Sequence, residues 1–378
     1  MIRFLFIYLS IYSLAHFYIF RKIKISFTPG KKASIAIILI MAVMIIAPVL
    51  VRLAEKGGFE TGARILSYAG FSWMGLLFLL IVLSGAVDGI RCFLRQSEKI
   101  GLQLPTPARI SPRKLLITQM LVVIVFYGYG LFEAADIRLE KVEIVSPKIP
   151  AIPGRIRIVQ ISDVHLGLII REAKLGKILA KIKEAHPDIL ISTGDLVDGQ
   201  LNHLNTEADM LAVFKPPLGK IAITGNHEFY AGLDNALEFT RQSGFIILRH
   251  QGMLAGGINF VGVDDRTLSS WGREPLKSEH DLLRAQPQQN FTVLLKHRPD
   301  IDPESLGHFD LQLSGHTHKG QIFPFNLLTW LAYPQQAGHL TPLESGWLYL
   351  SRGTGTWGPP IRLLAPPEIT IIDLIHGK

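Results

Sequence analysis

Three runs in the first 135 residues leave the backbone little choice of structure. Residues 34–51, 69–87 and 115–135 are apolar and nearly uncharged. Each is close to the roughly 20 residues that carry a helix across the hydrocarbon core of a bilayer. They read as transmembrane helices. Gln119 is the polar exception in the third run, and Glu133 lies near its far end. Residues 4–20 read as a shorter span interrupted by His16, placed at the membrane interface. No small-residue cleavage site precedes Arg21-Lys22-Ile23-Lys24, so a signal peptide is not the reading adopted.

Charge follows the same division. Residues 1–150 hold 18 of the 39 Lys and Arg and 8 of the 31 Asp and Glu, a balance of +10; the rest carry 21 against 23, a balance of −2. The formal charge of +8 therefore belongs to loops around apolar spans and not to a basic groove, so no nucleic-acid partner is expected. Arg21, Lys22, Lys24, Lys31 and Lys32 precede the 34–51 span. Arg91, Arg95, Lys99, Arg109, Arg113 and Lys114 precede the 115–135 span. Basic loops favour the cytoplasm. The expectation is a multi-pass protein of the plasma (inner) membrane, with everything after residue 136 extracytoplasmic. The single cysteine, Cys92, excludes an internal disulfide and a Cys-based metal site.

Residues 145–154 contain Pro147, Pro150 and Pro153 and read as a semi-rigid linker between a transmembrane region, 1–144, and a domain over 155–378. In that domain strand-like runs (157–161, 188–192, 220–224) alternate with helical ones (172–184, 207–214, 233–243). Further strand-like runs follow at 258–263, 292–295, 309–313, 347–351 and 369–373. Alternation followed by strand enrichment predicts a layered α/β domain.

Polar clusters follow these apolar runs: Asp163-Val164-His165, Gly194-Asp195, Gly225-Asn226-His227-Glu228, His297, and Ser314-Gly315-His316-Thr317-His318. At strand ends they would converge on one sheet edge. Asp163 and His165, two residues apart, face one way in an extended segment. Asp195 has two oxygens with which to bridge two ions. Asp163, His165, Asp195, Asn226, His297, His316 and His318 offer oxygen and nitrogen without sulfur, a set suited to manganese, iron or zinc. Seven such groups fit a two-metal centre better than one tetrahedral zinc. His227, beside Asn226 but directed differently, is left to protonate a leaving oxygen or stabilise charge on phosphate.

In this order the clusters resemble the calcineurin-like metallophosphoesterase superfamily. Ser314 to Phe323 with Ser351-Arg352-Gly353-Thr354-Gly355-Thr356-Trp357-Gly358-Pro359-Pro360-Ile361-Arg362 resembles its membrane-associated bacterial, phosphodiesterase-like branch. The resemblance covers about residues 155–375. It implies a four-layer αββα sandwich, here preceded by the helical transmembrane region. It also implies one divalent ion on Asp163, His165, Asp195 and His318, a second on Asp195, Asn226, His297 and His316, and His227 as catalytic histidine. The implied reaction is hydrolysis of a phosphoester, foremost a phosphodiester, by metal-bound hydroxide. A lipid-nucleotide pyrophosphatase of the UDP-diacylglucosamine type is the alternative enzyme, and a metal-binding scaffold the alternative that is no enzyme. Membrane lipids and a lipid-linked substrate are the partners such a protein would meet. Few charges in the spans, with Asp88 and Glu133 near ends, speak against a transporter.

Other residues carry two readings. Asp198 either caps or holds its loop or touches the site, and Glu228 reads as structural. Arg298 and Arg362 bind phosphate or pair with a local carboxylate. Lys319 departs from the glycine common in relatives. Residues 323–334, apolar and aromatic, read as a loop packed on the domain or as an apolar lip at the bilayer. His186, His203, His250, His280, His308, His339 and His376 match no motif.

Overall fold

The computed structural model describes residues 2–100, 102, 110–199, 201, 203–272 and 277–378. Arg109 of the basic loop lies outside the described residues. The chain forms two compact units, Met1–Leu131 with Gly358–Ile361, and Phe132–Trp357 with Arg362–Lys378.

The first unit is helical: α1 (Ile2–Phe27), α2 (Lys31–Lys56), α3 (Glu60–Lys99) and most of α4 (Pro112–Ala135). By length and composition α2, α3 and α4 can each cross a membrane, and they contain the three apolar runs. His16 is buried, with Trp73 Nε1 donating to its Nε2 at 2.9 Å and its Nδ1 2.7 Å from the Tyr12 carbonyl.

In the second unit the described residues build two six-stranded sheets. The first contains, in spatial order, β1 (Arg138–Ser146), β12 (Glu368–His376), β2 (Arg155–Ile161), β3 (Ile189–Ser192), β4 (Lys220–Ala222) and β5 (Ile246–Ile247). Strands β2 to β5 run parallel, β12 is antiparallel to β2, and β1 is parallel to β12. The second contains β10 (Leu340–Pro342), β11 (Trp347–Leu350), β9 (Leu311–Ser314), β8 (Thr292–Leu295), β7 (Ile258–Gly262) and β6 (Gln251–Ala255), parallel from β11 to β7. Parallel strands covered on both faces read as continuous apolar runs, which is why these strands were visible in the sequence.

One core lies between the sheets, with Ile158, Ile191 and Ile372 from the first and Phe260, Leu295 and Leu313 from the second. Helices α5 (Glu172–Glu184), α6 (Asn205–Val213) and α8 (Leu233–Gln242) close the outer face of the first sheet through Ile178, Leu211 and Phe239. Helix α10 (Glu279–Arg284) closes the second through Leu282 and Leu283. The short α7 (Asn226–Ala231), α9 (Thr267–Ser270) and α11 (Phe325–Ala332) lie in loops. This is the expected αββα sandwich.

The domain boundary differs from the expected one. Strand β1 falls in the stretch assigned to the transmembrane region and linker, yet it pairs with β12 from Arg138↔Glu368 to Ser146↔His376. As an edge strand it is buried mainly through Ile144, so four charged residues among its nine hid it. The last turn of α4, from Phe132, also belongs to this unit.

Candidate metal centre

Strands β2, β3, β4, β8 and β9 all end at one edge, and the polar clusters occupy the turns just beyond them. These turns are sharp. Asp163, His165, Asp195, His316 and His318 all adopt left-handed backbone, φ between 48° and 75°, and Gly194 has φ 94°. Such conformations are uncommon for residues other than glycine and collect at functional sites. A Cβ on Gly194 would meet the Gly225 backbone and the His297 ring, so that turn requires glycine.

The side chains converge. Nε2 of His165 and Nε2 of His318 face each other at 3.0 Å, and Asp163 Oδ1 lies 3.5 Å from the latter. Asp195 Oδ2 is 3.3 Å from His297 Nε2 and 3.9 Å from His165 Nε2. One ligand atom from each of Asp163, His165 and His318 falls within 4.8 Å of the others; the same holds for Asp195, His297 and His316, and for His165, Asp195 and His227. His297 Nε2 and Asn226 Oδ1 are buried with no hydrogen-bond partner among the described residues. Buried polar atoms are normally paired. Orphaned donors of this type, beside two buried carboxylates, fit divalent cations.

The surroundings fix each ligand, as outer partners do in metal sites. His297 Nδ1 faces the Thr193 carbonyl at 2.8 Å, which turns Nε2 towards Asp195. The His316 backbone N–H donates to both oxygens of Asp163 at 3.0 Å, and Ser162 Oγ donates at 2.5 Å. Glu228 accepts the backbone N–H groups of Asp195, Leu196 and Gly225 at 2.7 to 3.0 Å, joining the turns after β3 and β4; its reading as structural agrees with this. His227 Nδ1 lies 2.8 Å from the Asp198 carbonyl and 3.1 Å from Asp198 Oδ1, so Asp198 touches the site.

The two arginines resolve differently. Arg298 pairs with a carboxylate, Asp265, at 2.7 Å, and its Nη1 is 3.0 Å from His316 Nε2. Arg362 does neither thing expected of it. Wholly buried, it donates to the carbonyls of Gly355, Arg352, Ala365, His318 and Gly353, and its Nη2 is 3.1 Å from His318 Nδ1. Burial lowers its pKa to about 10 despite Asp163 and Glu368.

Burial disfavours every charge here, yet the acidic centre prevails where it is closest. Against burial, His297 and His227 hold the Asp195 carboxyl well below its usual range. Also against burial, Asp195 raises His297 to about 10, and Asp195 with Asp198 raises His227 to about 9. His316 is lowered to about 3 by burial, His297 and Arg298, and His318 is held well below its usual value by burial, Arg362 and His165. Around Asp195, at His297 and His227, the centre favours positive charge.

A calcineurin-like phosphoesterase family model matches residues 156–320. An uncharacterized metallophosphoesterase of Aquifex aeolicus is 37% identical over 262 residues, which is 68% of this chain and 99% of the relative. The chain belongs to the calcineurin-like phosphoesterase family. It is thus a metal-dependent phosphoester hydrolase. A Campylobacter jejuni metallophosphoesterase, also uncharacterized, is 34% identical over 70% of this chain and 71% of its own length. A Danio rerio transmembrane protein with metallophosphoesterase domain is 31% identical over 83% of this chain and 75% of its own.

In this phosphoesterase the six charged or imidazole ligand candidates come together, with His227 against His165 at 4.5 Å between ring centroids. Asn226 is joined to them through its neighbour, whose backbone N–H donates to Asp195 Oδ1 at 2.8 Å. Sequence reasoning missed Asp265, which carries no motif; it holds Arg298 and also accepts the Thr267 N–H and hydroxyl. The unmatched histidines belong to none of the three ligand groups found among the described residues. His280 and His308 instead pack edge to face, and His376 Nδ1 lies 2.6 Å from the Ile149 carbonyl.

Proposed function

We propose that this chain is a membrane-anchored phosphodiesterase with a two-metal centre. Asp163, His165, Asp195 and His318 would hold one divalent ion; Asp195, Asn226, His297 and His316 would hold the second, with manganese, iron or zinc suited to the donors. When bound, such a pair supplies Lewis acidity towards water and phosphate oxygens. The observation that carries the reading is Asp195, whose Oδ2 faces His165 of one group and His297 of the other. With Nδ1 engaged by Asp198, His227 presents Nε2 as the atom that delivers a proton to the leaving oxygen. Asp198 sets the ring's direction and the tautomer.

The test is hydrolysis of bis-p-nitrophenyl phosphate and p-nitrophenyl phosphate by the full chain in detergent with added manganese. Wild type is expected to favour the diester, to lose turnover on chelation and to regain it with manganese. Asp195→Asn should lose both metal content and turnover, and His227→Ala turnover only. A metal-loaded wild type inactive on both esters would overturn the phosphodiesterase reading in favour of a lipid pyrophosphate substrate, and inactivity on pyrophosphates as well would return the scaffold.

A further inference from the structure

Helix α11 begins seven residues after ligand candidate His318, and no residue in it is buried. Leu327, Leu328, Trp330 and Leu331 are 57, 58, 60 and 73% exposed, and the helix carries no charge. The expected packed loop is therefore absent; the apolar segment is a bare helix. It is nevertheless anchored at both ends to the centre. At its start, Phe323 N–H donates to the Leu363 carbonyl and Leu363 N–H to Gln321, three residues from His318. At its end, the Tyr333 ring packs edge-on against His316 at 5.6 Å, and the Tyr333 hydroxyl accepts from Arg298 and Arg266 at 3.3 Å. The helix is a rim of the site.

What covers this rim is indicated by the chain's own membrane helix. The last turn of α4 belongs to the catalytic unit, where Glu133 Oε2 accepts the Leu364 N–H at 2.9 Å. Leu363 next to it is the residue bonded to Gln321 and Phe323 at the foot of α11. Thus the point where a membrane-length helix enters the unit and the root of the bare apolar helix share one short strand bridge, flanked by exposed Phe323 and Leu364. Exposed apolar patches of this kind mark interaction sites, and Trp at the edge of an apolar helix suits the bilayer interface.

We propose that α11 inserts into the acyl region of the leaflet at which α4 ends, so that the centre acts on phosphoesters of membrane lipids presented at the bilayer surface. Arg266, Arg298 and the Tyr333 hydroxyl lie where a lipid phosphate would arrive. The substrate class rests on the phosphodiesterase reading above; the insertion of α11 does not.

The test uses the full chain in phosphatidylcholine vesicles, plain or brominated on the acyl chains. The fluorescence lost in Trp330→Phe is the Trp330 signal, and bromination should quench it at least twofold. An equal signal in both vesicles would overturn insertion, and a signal that is unquenched yet shifts with protein density would assign the rim to a second copy of the chain. Separately, phosphatidylglycerol in the vesicle and free glycerophosphoglycerol, both diesters, compete against bis-p-nitrophenyl phosphate. Phosphatidylglycerol should have at least a tenfold lower Ki, and Leu327→Ser with Leu331→Ser should remove that advantage. Equal Ki values in wild type would overturn the lipid substrate. Absent ester turnover with Trp330 still quenched would bring down the phosphodiesterase reading and the substrate class resting on it, and leave the insertion standing.

Discussion

Asp198 and Glu228 show how much of this centre is decided one atom beyond the ligands. Asp198 lies 3.1 Å from His227 Nδ1 and 3.6 Å from His165 Nδ1, a carboxylate shared by two rings. Changing it to Asn keeps the shape but removes the charge, and partners of this kind are worth about 10- to 100-fold in activity. Asp198→Asn is expected to lower kcat by about that factor with metal content per chain unchanged; KM and elemental analysis separate this from lost metal. Glu228 accepts three backbone N–H groups. A Gln there turns one acceptor into a donor facing N–H groups, at a cost of about 1–3 kcal/mol. Glu228→Gln should lower Tm by about 2–12 °C at 2–4 °C per kcal/mol for a unit of this size, read by scanning calorimetry. The seven ligand candidates were legible because each follows an apolar run at a spacing with chemical meaning. Asp198 was legible as a residue but not as a contact, since spacing alone does not say which way a loop carboxylate turns. Arg362 was misread because a charge satisfied by five carbonyls and a histidine ring needs a folded loop around it, and the sequence prints no such loop.

At the scale of elements, the buried parallel strands declared themselves and the rims did not. β1 alternates charged with apolar residues, β5 has two residues, and α11 has only Asn326 and Thr329 by which its helical period could be noticed. Each is an edge or a surface piece, where burial no longer dictates composition. β1 matters for how the domain is handled. A chain begun at residue 150 would lose β1, baring one side of β12 along nine paired positions and removing Ile144 from the inter-sheet core. Unpaired strand edges invite association. Such a chain should elute as aggregates on size exclusion, whereas one begun at Phe132 should elute as a discrete species; the reverse order would show β1 to be dispensable.

For the whole molecule, the uneven distribution of Lys and Arg gives the testable statement. The basic residues before α2 and α4 favour the cytoplasm, so the prediction is a catalytic unit on the other side. In a bacterial host, a C-terminal alkaline phosphatase fusion should be active and a C-terminal green fluorescent protein fusion dark; the opposite pair of results would put the centre inside. The sheet order adds something about time. β12, the last strand made, lies between β1 and β2, the first two, and Glu368 at its start holds the Tyr349 hydroxyl and the Arg352 backbone. The sheet therefore has a slot open until β12 arrives. A nascent chain halted before residue 368 has every ligand candidate already synthesised and no finished sheet to hold them. Ion loading is accordingly expected only after β12 has joined the sheet, on whichever side of the membrane the unit folds.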